Sequence, residues 1–343
     1  MHKLLKKLIL IFLILPALLS LGGCPCGFNC GSDSDDDSND TSPASLTLGF
    51  SDASLEDLKQ VVIEVDSITF KRSGVDDVVV DTFTIDELSL VDSDTFQIDL
   101  LEYRGRNQLL VIEDLELDIG TYTEILLTIL EDDLNFSFAE EADGTLKEIN
   151  GPAGGLALPG MLLSSDAQAF TVEFGLAQSL QYQDAADTYL LATDGVRVIG
   201  TADAASLSGR VDSSLFDSET PCDEKADPES GNRVYIYAGA SLSDSQLADV
   251  YTTGNANTLP DDAIAPFAVA TLVENVLTGS WEYAFGYLPA GDYTLAFACD
   301  AADDDPVDYD GIVIPLPAAQ TYQINLSTGE QASCDLAEGA SCT

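Results

Sequence analysis

Hydrophobic and polar positions alternate along the first half of this chain in short runs separated by Gly-, Asp- and Ser-rich turns. A period of two is typical of β-strands with one buried face. It predicts strands over residues 45–50, 61–70, 78–85, 95–100, 108–112, 122–130, 135–138, 169–174 and 195–199. The phase changes near Asp66 and Ser67, which predicts a β-bulge. Short helical segments are expected at 54–60 and 176–181, and a loop at 151–160.

The second half continues with the same kind of pattern. Strands are predicted over residues 207–211, 234–238, 267–273, 281–287, 293–298, 312–314 and 322–326. Seven short strands without interleaved long helices are typical of an immunoglobulin-like or transthyretin-like sandwich. The expected fold class is therefore all-β, with two antiparallel β-sandwich domains in tandem over residues 45–203 and 206–343.

The N-terminal segment has a different pattern. Three lysines precede an apolar run over residues 8–19, which is shorter than the roughly 20 residues that a membrane-spanning helix needs. The run closes on Leu21-Gly22-Gly23-Cys24, as a secretory signal does. This stretch resembles the lipobox of bacterial lipoproteins, which implies a signal peptide over 1–23 and a lipidated Cys24 that anchors the protein in the membrane. An uncleaved transmembrane anchor is the alternative.

The resemblance also bears on location. In Gram-negative lipoproteins an aspartate after the lipidated cysteine favours retention in the inner membrane, and Pro25 stands there instead. We therefore expect the protein to be anchored in the outer membrane of the cell envelope. Its domains would face the periplasm or the cell surface. Residues 24–44 continue as an acidic tether, because residues 31–43 contain almost only polar side chains and cannot bury a core.

Charge narrows the range of partners. The chain has 60 acidic and 13 basic residues, for a net charge of −47. Such a field repels phosphate backbones, so no nucleic-acid partner is expected. Divalent cations are the partner class that it favours.

Seven cysteines are present, and a lipidated Cys24 would leave six in an oxidising compartment. The simplest of the 15 pairings joins Cys26 to Cys30, Cys222 to Cys299 and Cys334 to Cys342. A zinc site is the weaker alternative, since the single histidine, His2, lies within the signal peptide and no C-x-x-C pair occurs.

An acidic stretch over residues 300–310 is the candidate calcium site. Its candidate ligands are the carboxylates Asp303, Asp304, Asp305, Asp308 and Asp310. Hard cations take several oxygen ligands, but the spacing fails the EF-hand motif because Pro306 and Pro317 occupy its end positions. A solvated acidic loop is the other interpretation, and calcium is the one cofactor considered.

Four aromatic residues share one face of the strand predicted at 281–287. They are Trp281, Tyr283, Phe285 and Tyr287. Such a row forms either the inner face of a sandwich or a platform on which sugars stack, and the inner face is the main expectation.

Catalytic signatures are scarce. Without a histidine in the mature chain, Ser–His and Cys–His nucleophile systems are excluded. A pair of carboxylates could hydrolyse glycosides, but 60 acidic residues make such pairs uninformative. We therefore expect that the protein is not an enzyme. A carboxylate-based glycoside hydrolase is the alternative.

Two family resemblances complete the sequence analysis. Residues 48–53 (LGFSDA), 61–70 (VVIEVDSITF), 97–101 (QIDLL), 117–127 (LDIGTYTEILL), 172–180 (VEFGLAQSL) and 189–198 (YLLATDGVRV) resemble the bacterial domain-of-unknown-function family 4382. Gly175 departs from that family's pattern, where an aspartate is expected. In the second half, residues 208–211 (SGRV), 233–238 (RVYIYA) and 287–294 (YLPAGDYT) resemble carboxypeptidase regulatory-like domains, which are non-catalytic accessory modules.

Together these features predict a non-catalytic binding or adhesion module of the cell envelope. Its partner would be a glycan or an envelope protein, and calcium-dependent glycan binding is the first alternative. The ligand and the oligomeric state stay open.

Overall fold

The structure, a computed structural model, describes residues 43–53, 58–131, 133–165, 167–252 and 259–342. The signal peptide, Cys24, the predicted Cys26–Cys30 pair and most of the tether lie outside the described residues. Residues Thr41–Thr343 form one compact unit. Its described part is built almost entirely from β-strands, so the expected all-β class is confirmed.

The first sandwich comprises the strands of residues 43–200. They are β1 (Pro43–Ala53), β2 (Leu58–Lys71), β3 (Val78–Val80), β4 (Phe83–Ile85), β5 (Leu90–Ser93), β6 (Phe96–Asp99), β7 (Leu109–Asp118), β8 (Gly120–Leu130), β9 (Phe138–Glu141), β10 (Leu146–Asn150), β11 (Leu156–Leu163), β12 (Ala167–Gly175), β13 (Leu180–Gln183), β14 (Thr188–Leu191) and β15 (Val196–Gly200). A 3₁₀ turn covers Leu100–Glu102, and helix α1 covers Leu176–Ser179.

Two sheets enclose the core of this sandwich. One has the order β15-β12-β1-β7, and the other has the order β11-β8-β2-β9-β10-β14-β13, with β3 and β6 also paired to β2. Strands β4 and β5 form a separate hairpin. Phe50 of β1 packs against Phe174 of β12 and Phe96 of β6, with ring centroids 5.4 Å and 6.2 Å apart. These contacts join the two sheets through one aromatic cluster.

Strand β2 confirms the predicted bulge. Its pairing with β8 shifts register between Val65 and Ser67, so the extra residue is Asp66. The residues before the shift pair with β6 and β9, and those after it pair with β3. The bulge thus lets one long strand serve several partners.

The second sandwich comprises residues 205–333. Its strands are β16 (Ala205–Val211), β17 (Arg233–Ala238), β18 (Ala268–Thr271), β19 (Val273–Asn275), β20 (Ser280–Leu288), β21 (Gly291–Ala298), β22 (Thr321–Leu326) and β23 (Gln331–Ser333). The short helix α2 covers Ser214–Asp217, and 3₁₀ turns cover Cys222–Glu224 and Asp244–Gln246. Sheets of order β19-β20-β16-β23 and β18-β17-β21-β22 enclose the core.

Several local predictions were wrong. Residues 156–160, which belong to the loop expected over 151–160, lie in strand β11 despite Pro159, because β11 pairs along the edge of the large sheet beside β8. Residues 58–60 begin strand β2 rather than ending a helical turn, and residues 312–314 are not a strand. Within the predicted strand 135–138, only Phe138 is part of a strand, at the start of β9. Three pairings are parallel, β1–β12, β10–β14 and β16–β23, so the sheets are mixed rather than purely antiparallel.

Around residues 171–174 of β12, the sheet β15-β12-β1-β7 is buried on both faces. Phe170, Val172 and Phe174 of β12 point into the core, yet the intervening Thr171 and Glu173 are also fully buried. Tyr287 of β20 covers this second face, and its hydroxyl donates to the carbonyl of Arg106 at 2.9 Å. The second sandwich therefore packs directly on the first.

Candidate functional site

The acidic stretch 300–310 lies against the sheet β18-β17-β21-β22, on the face away from the core of the second sandwich. Ala301 and Ile314 cluster with Tyr235 and Tyr237 there. Asp304 is buried, whereas the other four candidate calcium ligands are exposed. The structure therefore separates Asp304 from the other candidates.

Asp304 has a structural role. Its carboxylate lies 3.3 Å from the Arg233 guanidinium and accepts hydrogen bonds from the Tyr235 hydroxyl at 2.6 Å and the Val250 amide at 3.1 Å. Burial raises the pKa of Asp304 to about 6, although the Arg233 charge opposes this rise. The carboxylate fixes the loop to the sheet.

The exposed aspartates stabilise the loop's own backbone. Asp305 Oδ1 accepts from the amides of Val307 and Asp308, at 2.7 Å and 3.0 Å. Asp310 Oδ2 accepts from the Asp305 amide at 2.8 Å. Among the described residues, no group of three or more His, Cys, Asp or Glu side chains is arranged to hold a metal ion. Calcium binding here stays a prediction.

Part of the aromatic row of β20 forms core: Tyr283 and Phe285 lie in the core of the second sandwich, as mainly expected. Tyr287 lies instead in the contact with the first sandwich, because the register of β20 shifts after Phe285. Tyr283, Phe285 and Tyr287 are buried, and half-buried Trp281 packs edge-on against Phe216 at 5.8 Å between ring centroids. The alternative of an exposed stacking platform for sugars is therefore wrong.

A cleft with a volume of about 560 Å³ lies on the opposite face of β20. Its floor consists of outward-facing residues of the sheet β19-β20-β16-β23, among them Ser208, Arg210, Glu282 and Ala284. The small side chains of Ser208 and Ala284 leave space above this floor. Arg104 of the first sandwich lines the same cleft, and the volume suits a ligand of drug or oligosaccharide size.

A turn over residues 103–107, which we call the docking turn, carries Arg104 to this position. Its first residue is fixed on the first sandwich, because the carbonyl of Tyr103 accepts from the Asp52 amide at 2.8 Å. Its middle lies on β20, where a Cβ added to Gly286 would be 1.8 Å from the Gly105 carbonyl oxygen. Gly105 itself has φ +64°, a conformation that glycine adopts readily. The backbone on both sides therefore holds the turn.

Arg104 has an unneutralised charge. Within the described part of the chain, its guanidinium forms no ion pair and no hydrogen bond, and its Nε is buried without an acceptor. A buried donor without a partner costs about 1–3 kcal/mol.

The other charged groups of the cleft already have protein partners. Arg210 Nε lies 3.9 Å from Glu282 Oε1, which also accepts from Ser280 and Asn275. Asp335 Oδ1 accepts from the Arg210 amide at 2.9 Å. Arg104 is thus the cation in this cleft that has no ion-pair partner among the described residues.

Sequence analysis did not find this site. The available signal was the stretch Tyr103-Arg104-Gly105-Arg106, which places two of only 13 basic residues on either side of a glycine. That signal could not show which strand the turn would contact, because the contact joins residues about 180 positions apart.

Two of the three predicted disulfides are present. Cys222 pairs with Cys299, with their Cα atoms 5.7 Å apart, and Cys334 pairs with Cys342, with their Cα atoms 4.7 Å apart. The first closes the core of the second sandwich beneath Phe297. The second lies beside the cleft, since Asp335 follows Cys334.

Among the described residues, none of the helices has the length and apolar character needed to cross a membrane.

The first sandwich matches a known protein family over most of its length. Residues 43–193 match the family described as Domain of unknown function (DUF4382). This match confirms the resemblance inferred from the first half of the sequence. No curated protein matches the chain.

Solved structures provide only distant likenesses. The Bacillus anthracis TIE protein is 11% identical, with 85% of this chain and 33% of that chain covered and a TM-score of 0.17. This chain thus spans about one third of that protein. A candidate cell adhesion protein from Bacteroides fragilis is 10% identical, covering 85% and 92% of the two chains, with a TM-score of 0.19. A candidate adhesin from Bacteroides ovatus is 8% identical, covering 87% and 88%, with a TM-score of 0.17.

Proposed function

We propose that this protein is a non-catalytic binding module of the cell envelope, which binds a glycan or an envelope protein in the cleft beside Arg104. The observation that carries the proposal is the unpaired guanidinium that the docking turn holds in a cleft of about 560 Å³. Binding sites typically combine such a concave surface with a few fixed polar groups.

Attachment is part of the same proposal. Lipidation of Cys24 would anchor the protein in the outer membrane, and the acidic tether would extend the domains away from the lipid surface. The chain's high negative charge supports an acyl anchor, because an acidic surface is repelled by anionic headgroups. A Cys24→Ala variant should leave the membrane fraction after salt washing. A variant that stays bound would contradict lipid anchoring.

The second sandwich would act as an accessory module, as its resemblance to carboxypeptidase regulatory-like domains implies. In this chain it contributes the floor of the cleft, while the first sandwich contributes Arg104. Neither half would then bind the ligand alone.

An array of neutral, acidic and sulfated oligosaccharides, together with purified envelope proteins, tests the proposal on the full-length chain. A Ser208→Trp substitution should block the cleft, because Ser208 is an exposed floor residue. Ser73→Trp is the matched control at an exposed turn position. We expect the wild type and the control to bind the same probe and Ser208→Trp to lose it. Equal binding by both variants would rule out the cleft.

Glycoside hydrolysis is the second candidate, since Glu282 and Asp335 both line the cleft. Hydrolysis of an array oligosaccharide that Glu282→Gln abolishes would favour that candidate over a binding module. Because both carboxylates already accept hydrogen bonds from neighbouring protein groups, we expect no hydrolysis.

A further inference from the structure

We infer that the cleft binds the carboxylate of an acidic saccharide, with Arg104 as the residue that recognises the charge. This inference rests on the proposed function, because it concerns the ligand of the same cleft. It goes further in naming the chemical class of that ligand.

Cationic side chains are scarce in this protein. The described chain contains ten Lys and Arg residues among an excess of carboxylates. Six of them form the ion pairs Lys59–Glu140, Lys71–Glu124, Lys147–Asp187, Arg197–Glu173, Arg210–Glu282 and Arg233–Asp304. Arg72 and Arg106 lie over tyrosine rings, and Lys225 donates to backbone carbonyls. With carboxylates in such excess, an unpaired Arg104 does not reflect a shortage of partners.

The backbone of the docking turn is held in place before any ligand binds. The close approach of Gly105 to Gly286 fixes the docking turn, and the Tyr287 hydroxyl holds it from the other side through the Arg106 carbonyl. The backbone that carries Arg104 is therefore already ordered before a ligand binds, so this part of the ordering cost does not reduce the affinity. A guanidinium can donate two parallel hydrogen bonds to one carboxylate, which makes that group the best-matched anion of its size.

The residues that line the cleft suit a saccharide better than a peptide. Besides Arg104, the cleft presents the Ser208 and Ser333 hydroxyls and the carboxylates of Glu282 and Asp335. Carboxylates accept hydrogen bonds from sugar hydroxyls. A peptide terminus would also need an apolar pocket for its last side chain, and Val273 and Ala284 are the aliphatic side chains in this lining. The lining favours a ligand with one carboxylate and several hydroxyls.

The overall charge does not prevent anion binding at this site. Exposed charges farther away than about 8–10 Å are largely screened at physiological ionic strength. Arg210 and Glu282 nearly neutralise each other at 3.9 Å. The remaining charges of the cleft are the Arg104 guanidinium and the Asp335 carboxylate, and Arg104 is the one that attracts an anion.

Tetragalacturonate and its methyl ester are the matched probes, because they differ in whether the carboxylates are charged. Calorimetric titration of the full-length chain in detergent should show tetragalacturonate binding about 10- to 100-fold more tightly than the ester, as one charge-assisted interaction allows. Arg104→Gln should reduce the affinity for tetragalacturonate to that for the ester. Arg104→Lys should give an intermediate loss, since it keeps the charge but not the paired donors. Unchanged melting temperatures would show that both variants fold.

Each contrary result has its own meaning. Equal affinity for acid and ester, no binding of tetragalacturonate at millimolar concentration, or no effect of Arg104→Gln would overturn the inference while leaving the proposed function intact. Tighter binding of a peptide with a free C-terminal carboxylate would overturn the choice of a saccharide. If Ser208→Trp bound tetragalacturonate as the wild type does, the cleft itself, and with it the proposed function, would be wrong.

Discussion

The Glu173 carboxylate lies 3.8 Å from the Arg197 guanidinium, in the interface between the two sandwiches. Both residues belong to the first sandwich, but Arg197 also donates to the Phe267 carbonyl of the second at 3.3 Å and lies 4.9 Å from the centre of its ring. This ion pair is sealed from water because the second sandwich covers it. The contact between the sandwiches therefore determines how Glu173 titrates.

Stability should fall as pH rises through the range in which Glu173 ionises. Burial raises its pKa from the ordinary 4.5 to about 7, although Arg197 opposes the rise. The folded protein thus holds this proton more tightly than the unfolded chain. The stabilisation is fully present below about pH 4.5 and is lost as pH rises through about 7, an effect of about 3 kcal/mol.

Glu173→Gln isolates this contribution from those of other titrating groups. Urea unfolding of wild type and variant between pH 4.5 and 8 should show the variant gaining about 3 kcal/mol relative to the wild type as pH rises. Exposed Glu116→Gln, at the far end of β7, should show no such trend. A constant difference between Glu173→Gln and wild type would mean that Glu173 does not titrate in this range.

Gly286→Ala should destabilise the protein by about 2–3 kcal/mol. Its new Cβ would lie 1.8 Å from the Gly105 carbonyl oxygen, so the backbones of the two sandwiches would have to separate. Gly291→Ala is the control, because the nearest atom to its Cβ would be 3.7 Å away. Chemical denaturation measures both, and equal stability of the two variants would contradict the close packing of the docking turn.

Asp304→Asn should cost about 3–5 kcal/mol, because it leaves the Arg233 charge buried without a counter-ion. The adjacent Asp303 is exposed, and Asp303→Asn should change stability by less than about 0.5 kcal/mol. The pair of variants is compared by the free energy of unfolding in urea. Similar small effects would show that the whole stretch 300–310 is a solvated loop.

Calcium should leave the melting temperature unchanged. Extracellular calcium sites bind at roughly 0.1–1 mM, so 10 mM calcium chloride would stabilise such a site by about 1.4–2.7 kcal/mol. Asp304 instead forms an ion pair with Arg233, and the carboxylates of Asp305 and Asp310 accept hydrogen bonds from backbone amides. A calcium-dependent rise in melting temperature that magnesium does not reproduce would contradict this prediction. It would support the alternative of calcium-dependent glycan binding.

Alternation along the chain predicted most of the strands, because a strand with one face in the core must repeat with a period of two. It also located the bulge at Asp66, where the phase of that repeat changes. It failed at β11, since Pro159 and Gly160 contradict the usual composition of a strand. There the edge position of the strand tolerates a proline, and edge positions are a property of the sheet rather than of the segment.

For the candidate site, too, the sequence predicted local features but not the contacts between distant segments. Sequence analysis selected the acidic stretch 300–310 and the aromatic row of β20, which are conspicuous in composition. The structure shows that Asp304 holds the loop to the sheet and that Phe285 lies in the core, as mainly expected of the aromatic row. It was the solitary Arg104, inconspicuous in the sequence, that the fold placed in a cleft.

By itself, the sequence determined the all-β class, the resemblance of residues 43–193 to a known domain family and the extreme acidity that limits the range of partners. These properties depend on local pattern and composition. Only the tertiary structure decided which cations are paired, because pairing depends on contacts between distant segments. The close approach of Gly105 to Gly286 brings together residues that are 181 positions apart in the chain, and it is this contact that turns Arg104 into a candidate binding residue.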